Sequence, residues 1–105
     1  MSTLTMSDLA APVRALRLLA ADFPDLPAVD FGISRVFPDL LELSCHDGFS
    51  VFEAWREALG IPLDSVTYTE LPVSSTRVLE ARIDYASVHL RLVGYSPAES
   101  QKAVA

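Results

Sequence analysis

The stretch SCHDGFSVFEAW, from Ser44 to Trp55, decides the fold because a strand pattern ends inside it and a helix pattern begins. Leu40–His46 (LLELSCH) alternates apolar and polar side chains, which is the period of a strand with one buried face. In such a strand Cys45 and His46 point to opposite faces. We therefore expect Cys45 to pack as a small hydrophobe, and only a β-bulge would expose it as a nucleophile.

A helix is predicted directly after this strand. Ser50 and Glu53 have the spacing of a capping box, in which each side chain accepts a hydrogen bond from a backbone N–H of the first turn. Gly60 followed by Pro62 is a helix stop signal. Trp55 is expected to anchor the helix in the core, within an apolar arc made of Val51, Phe52, Trp55, Ala58 and Leu59.

A second amphipathic helix precedes the strands and ends at residues 22–27 (DFPDLP). Pro12 fits a first helical turn, so the regular helix is expected to begin near residue 11. Leu18 falls on the side opposite the apolar arc, and residues 1–7 are expected to form a loose leader. The arc contains Leu9, Pro12, Val13, Leu16, Leu19, Ala20 and Phe23.

Residues 28–36 (AVDFGISRV) predict a strand with Val29, Phe31 and Ile33 facing inward. A three-residue loop at 37–39 would join it to the strand at Leu40–His46 as a hairpin. That register pairs Ile33 with Leu43, Phe31 with Cys45 and Asp30 with His46.

The C-terminal half predicts three more strands. The first is residues 65–71 (SVTYTEL), with Val66 and Tyr68 facing inward. A hairpin with a two-residue turn at Tyr85 and Ala86, or with a longer loop in the same register, would follow, and the tail from residue 97 onward is expected to fray. The hairpin register pairs Asp84 with Ser87, Ile83 with Val88, Arg82 with His89, Ala81 with Leu90, Glu80 with Arg91 and Leu79 with Leu92.

These elements predict a single α+β domain over residues 1–105, in the order α-β-β-α-β-β-β. A five-stranded, mainly antiparallel sheet would carry both helices on one face and leave a polar face open. The helix between strands two and three makes those strands parallel to each other. Strand orders 2-1-3-4-5 and 2-1-5-4-3 would both make every neighbouring pair antiparallel.

Composition and charge exclude several classes of protein. A formal charge of −6 disfavours nucleic acid and anionic membranes as partners, and no apolar run reaches the roughly 20 residues of a membrane span. One cysteine cannot form an intramolecular disulfide, which favours the cytoplasm. Seven of the eight basic residues are Arg, which is typical of a GC-rich bacterial genome.

No catalytic motif, cofactor site or metal site is predicted. The chain has no glycine-rich phosphate loop, HExxH or GxSxG. His46 and His89 are both expected on the open face, but strand order 2-1-5-4-3 separates their strands by about 10 Å, too far for a shared metal.

The candidate binding residues are apolar side chains that the pattern places outside the core. Val78 and Val93 are expected to face each other on the open sheet, while Val36 and Leu40 are expected to pair near the first turn. Leu71 is a further exposed position of this kind. The six candidate binding residues are Leu18, Val36, Leu40, Val78, Val93 and Tyr95.

Three functions are compatible with this pattern. The leading one is a small cytoplasmic, non-enzymatic protein-interaction module that binds a protein partner or self-associates as a homodimer, with the acidic charge favouring a basic partner surface. The second is a small-molecule-binding module with a pocket lined by Phe31, Tyr68 and Trp55. The third is a cysteine-dependent enzyme that uses Cys45.

Overall fold

The computed structural model describes residues 3–73 and 75–97, and it has the predicted α+β architecture. Its elements follow the predicted order α-β-β-α-β-β-β, with short 3-10 turns at Met6–Leu9 and Leu63–Ser65. The predicted leader lies partly, and the predicted tail almost entirely, outside the described residues. The regular elements are α1 (Ala10–Asp22), β1 (Asp30–Ser34), β2 (Phe37–Cys45), α2 (Phe49–Leu59), β3 (Thr67–Leu71), β4 (Thr76–Tyr85) and β5 (Val88–Pro97).

The strand order of the sheet is β1-β2-β5-β4-β3, so both predicted orders are wrong. Strands β2 and β5 are neighbours and pair in parallel, whereas the other three pairs are antiparallel. Strands two and three do run in the same direction, as predicted. The error lay in requiring every neighbouring pair to be antiparallel, which placed β1 inside the sheet; the structure puts the two five-residue strands, β1 and β3, at the edges.

Helix α1 begins one residue earlier than predicted and buries a slightly different face. Pro12, Ala15 and Leu19 are its buried residues, whereas Val13 is exposed although it lies in the predicted arc. The small side chain of Ala15 allows close packing of the helix on the sheet. Leu18 is exposed on the opposite side, as predicted.

Helix α2 forms as predicted, but without the capping box. Its N-cap is Gly48, and Glu53 instead accepts two hydrogen bonds from Arg56, at 2.8 and 2.9 Å. This i,i+3 ion pair occupies the carboxylate that the box required. The helix ends as predicted at Gly60, whose φ of 71° is the left-handed conformation favoured for glycine at a helix C-terminus.

The first hairpin has a tighter turn than predicted. The connection is Arg35 and Val36, and β2 starts at Phe37, inside the predicted loop. The register shifts by two residues, pairing Phe31 with Leu43 instead of Cys45. A shift of two residues preserves which side chains face the core, so the alternation of apolar and polar residues could not reveal it.

The last hairpin is displaced in the same way. Its turn is Ala86 and Ser87 rather than Tyr85 and Ala86, and Ala81 pairs with Leu92. Ala86 and Ser87 have φ angles of 51° and 70°, the pair of positive angles that a two-residue type I′ hairpin turn requires.

The core lies between the two helices and the central strands β2, β5 and β4. Cys45 is buried as predicted, and Phe52 and Trp55 are the buried residues of α2. The strand residues of this core are Leu41, Leu43, Cys45, Ala81, Val88, Leu90 and Leu92.

The helices do not shield β3. All five of its residues are exposed, including Tyr68, which was predicted to face the core and is 55% exposed. Phe31 on the other edge strand is also exposed, at 56%. Within the part of the chain described, neither helix is long and apolar enough to cross a bilayer.

Candidate functional site

The open face of the sheet, on the side away from the helices, carries a groove of about 630 Å³ at its β1–β2 end. Two shallower depressions adjoin the groove, and Leu40 and Arg82 line both of them. The concave surface therefore continues from the first hairpin across β5 to β4. The groove itself is lined by Gly32, Ile33, Ser34, Val36, Phe37, Leu40, Glu42, Arg82 and Arg91.

The rim of the groove is apolar because of the tight first turn. Val36 and Phe37 follow each other at this turn and both line the groove, 68% and 61% exposed. The Ser34 hydroxyl accepts a hydrogen bond from the Val36 backbone N–H at 3.0 Å, which fixes the turn that presents them. Leu40 is half-buried and lies further into the groove. An exposed valine and phenylalanine beside a concavity are typical of a binding surface.

An ion-pair network forms the polar wall of the groove. Arg91 Nε donates to Glu80 Oε2 at 2.6 Å, and Arg91 Nη1 donates to Glu42. Arg82 Nε donates to the same Glu80 oxygen at 3.1 Å. Arg82 and Arg91 lie directly opposite each other on β4 and β5, so the shared carboxylate offsets their mutual repulsion.

The pKa values of this network follow from its hydrogen bonds. The hydrogen bond from Arg91, supported by Arg82, holds the pKa of Glu80 below its ordinary value. Burial opposes the charge on Arg91, but its hydrogen bonds to Glu80 and Glu42 outweigh burial and raise its pKa. Both shifts favour the charged forms of Glu80 and Arg91.

Arg82 is the member of the network most available to a ligand. Its side chain is 70% exposed, against 25% for Arg91. Among the residues that the structure describes, its side-chain hydrogen bond to Glu80 uses Nε, which leaves both Nη groups outside that contact. A guanidinium in this state can bind a carboxylate with two parallel hydrogen bonds.

The six predicted binding residues do not form one surface. Val36 and Leu40 line the groove together, whereas Leu18 lies in the helix layer on the other side of the sheet. Val78 and Tyr95 are paired in register and half-buried near the opposite end of the open face.

Val93 was predicted to be exposed and to face Val78, and both expectations are wrong. It is fully buried, and its register partner on β4 is Glu80. Arg91 and Tyr95 flank Val93 on the same face, and the long side chains of such neighbours cover a small central residue.

The two histidines lie apart, although their strands are neighbours. His89 is in register with Leu40, whereas His46 follows the end of β2, about 20 Å away along the strand direction. His89 Nδ1 lies 2.8 Å from Asp84 Oδ1. His46 Nε2 lies 3.6 Å from Asp30 Oδ2, so the predicted contact with Asp30 forms despite the shifted register. The His46 ring also stacks on Tyr95, with 5.0 Å between centroids.

No metal centre is visible in the described part of the chain, since no group of three or more His, Cys, Asp or Glu side chains is arranged there to hold an ion. A site of this kind would need at least a third ligand near either histidine.

Cys45 has the properties of a structural thiol. Its side chain is buried, and burial, with a contribution from Asp47, raises its pKa to about 11. A cysteine nucleophile needs the opposite, an accessible thiolate with a lowered pKa.

A second cavity, of about 210 Å³, lies between the C-terminal half of α1 and the sheet. Phe31 and Trp55 line it as predicted for a ligand pocket, but Tyr68 does not. Its lining is mostly apolar, and Trp55 Nε1 is already occupied by a 2.9 Å hydrogen bond to the Pro27 carbonyl. The volume is below the roughly 300 Å³ that small-molecule pockets usually exceed.

Sequence reasoning named only Val36 and Leu40 among the lining residues of the groove, and those it missed include Phe37, Arg82 and Arg91. Phe37 was assigned to a loop, because Pro38 was interpreted as the centre of a turn. Arg91 was correctly expected near Glu80, but its contact with Glu42 depends on the parallel β2–β5 pairing. Two arginines in strands predicted to be neighbours were the available signal.

No family model, curated protein or solved structure matches this chain.

Proposed function

We propose that the protein is a small, non-enzymatic protein-interaction module that binds its partner through the groove on the open face of the sheet. The observation that carries the proposal is the pair Val36 and Phe37, both largely exposed and both lining a concavity whose wall is an ion-pair network. Large apolar groups surrounded by ordered polar groups are the usual composition of a protein-binding surface.

The chemistry of the groove indicates what a partner segment must present. An apolar side chain would pack against Val36, Phe37 and Leu40, and a carboxylate would pair with the exposed Arg82. The groove has no net charge of its own, because Arg82 and Arg91 balance Glu42 and Glu80. The formal charge of −6 acts at longer range and favours partners with a net positive charge by steering.

We infer a cytoplasmic setting for this binding. The inference rests on the one cysteine, which leaves the chain without an intramolecular disulfide.

The test compares capture from a native lysate by the wild-type protein, Phe37→Ser and Leu63→Ser. Leu63 is the matched control, because it is 67% exposed but lies on a 3-10 turn outside the groove. A genuine partner should be captured by the wild type and Leu63→Ser and should bind Phe37→Ser at least about fivefold more weakly, since truncating a central apolar contact costs about 1 kcal/mol or more. If no captured protein distinguishes the two variants, the groove is not the binding site.

The cavity beside Trp55 supports a second candidate function, the binding of a small apolar molecule. Because Trp55 is the only tryptophan and lines this cavity, a ligand bound in the cavity should change its emission. A saturable shift of emission with a small apolar compound, lost in Ala20→Leu, which narrows the cavity, would support this function over the first. Emission that does not change across a panel of such compounds would remove it.

A further inference from the structure

We infer that strand β3 is the contact by which two copies of this chain associate, through antiparallel pairing of Thr67–Leu71 about a two-fold axis at Thr69. The inference concerns a different surface from the groove and does not depend on the proposed function. A pairing of this kind would join the two five-stranded sheets into one continuous sheet.

The two edges of the sheet differ in how open they are to further pairing. Strand β1 has a register shift between Gly32 and Ser34, an irregularity that hinders further pairing. Strand β3 pairs with β4 in unbroken register over its whole length, and all five of its residues are exposed. It contains no proline, lysine or arginine, and Glu70 is its one charged side chain among the residues that commonly protect a free edge.

Strand β3 is complementary to a second copy of itself. A two-fold axis at Thr69 sets Thr69 against its own copy, Tyr68 against Glu70, and Thr67 against Leu71. No like charges meet, and the Tyr68 hydroxyl can donate to the Glu70 carboxylate of the second copy. An axis at Glu70 would set two carboxylates against each other, and an axis at Tyr68 would shorten the pairing, so Thr69 is the favoured centre.

Pairing of β3 with its copy would extend rows of side chains that already run across β4 and β3. On the helix side of the sheet, Arg77 of β4 lies opposite Glu70, and Leu79 of β4 lies opposite Tyr68. Association would continue these into a row running Arg77, Glu70, then Tyr68 and Leu79 of the second copy. Tyr68, exposed because the helices do not extend over β3, would thereby gain neighbours on both sides.

The first experiment is sedimentation equilibrium at physiological ionic strength. Five residue pairs form a contact smaller than a typical interface of about 1,600 Å², so we expect a dimer that dissociates on dilution. Measurements should extend to about 1 mM, where even a millimolar Kd is detectable. A wild-type protein that stays monomeric at that concentration overturns the inference.

Matched variants on the same strand and face test the axis. Thr69→Arg would place two arginines against each other and should raise the Kd about fivefold or more, whereas Thr67→Arg would face Leu71 and change it much less. Phe37→Ser should leave the dimer intact, which separates this surface from the groove. Equal effects of the two arginine variants, or loss of the dimer in Phe37→Ser, overturn the inference.

Cysteine substitution tests the register directly. Cα atoms of residues facing each other across antiparallel strands are about 4.5–5.5 Å apart, within disulfide range, so Thr69→Cys should oxidise readily to a covalent dimer. In Tyr68→Cys the two cysteines would be offset by two residues and more than about 8 Å apart, beyond that range. The buried Cys45 should stay unreactive in both. Equal rates of oxidation at positions 68 and 69 would contradict the pairing.

Discussion

At Gly94, strand β5 approaches helix α2 so closely that a side chain has no room. A Cβ atom at this position would lie 2.9 Å from Cβ of Phe52 and 3.0 Å from its Cδ2. Carbon atoms pack best at about 3.5–4.0 Å, and Phe52 is fully buried. Rotation of the ring cannot relieve the closest contact, because the Cβ of Phe52 is fixed by the helix backbone. Gly94→Ala must therefore push α2 away from the sheet by several tenths of an ångström.

The expected cost of Gly94→Ala is about 1–3 kcal/mol in the free energy of unfolding, the usual range for overpacking in a core. At about 4–8 °C per kcal/mol, the Tm should fall by at least several degrees. Urea denaturation followed by Trp55 emission measures the free energy, since Trp55 is buried in the same helix. Gly32→Ala is the matched control, because its Cβ would have no heavy atom within 4 Å.

We expect Gly32→Ala to stay within about 0.5 kcal/mol of the wild type, as substitutions without steric conflict usually do. If Gly94→Ala left the free energy of unfolding equally unchanged, this result would contradict the close packing of α2 on β5.

Three further predictions concern titration and a turn. Burial raises the pKa of Cys45 from 9.0 to about 11, so at a pH between these values the unfolded chain loses a proton that the folded chain keeps. The free energy of unfolding should therefore decline by up to about 3 kcal/mol as pH rises from about 9 to 11. Cys45→Ala should remove this decline in urea titrations. The hydrogen bond from Arg91 lowers the pKa of Glu80, so the ionised Glu80 carboxylate stabilises the fold at pH values above its ordinary pKa, and this contribution is lost as pH falls through the lowered pKa. The stability of Glu80→Gln should depend less on acid pH than that of the wild type. An unchanged dependence on pH would contradict the network. Replacing Ala86 by Asn and Ser87 by Gly should raise stability by about 1 kcal/mol, since both replacements favour the positive φ angles of this turn, and a lower urea midpoint would count against the turn assignment.

Side-chain periodicity predicted which residues of the interior strands face the helices, because that pattern depends only on local geometry. It did not predict the burial of Val93 on the open face. Leu41, Leu43 and Cys45 face the core as predicted, and so do Leu90 and Leu92. The same periodicity could not fix either hairpin register, because a shift of two residues leaves every side chain on its original face. The turns decided the register, through backbone angles that Ala86 and Ser87 adopt without an obvious sequence signal.

Strand order was beyond the same reasoning. In the structure the interior strands β2, β5 and β4 have 9, 10 and 10 residues and the edge strands have 5. The sequence predicted nine residues for β1, at 28–36, and seven for β2, at 40–46, so strand length could not identify the edges. Val93 marks β5 as central, because β5 is buried there on the face away from the helices as well. Long, strongly apolar strands tend to be central because both of their faces are covered.

The candidate site was predicted only in its local part. Val36 and Leu40 belong to one hairpin, and their proximity follows from the chain itself. Arg91 reaches Glu42 only through the β2–β5 pairing, which no local pattern specifies. Val36 and Leu40 were therefore predictable, whereas Phe37 and the charged wall were not.

The parallel ladder between β2 and β5 also sets the order in which the chain can fold. The N-terminal hairpin and the β3–β4–β5 meander can each form from residues close in sequence, but the ladder joins Leu40 to His89, a separation of 49 residues from residue 40 to residue 89. Contacts this distant form late and slowly, because the closure of a long loop precedes any gain from pairing. On a ribosome, the edge of β2 that pairs with β5 must therefore stay unpaired until β5 has been synthesised, and a free strand edge of this kind is open to pairing with other chains.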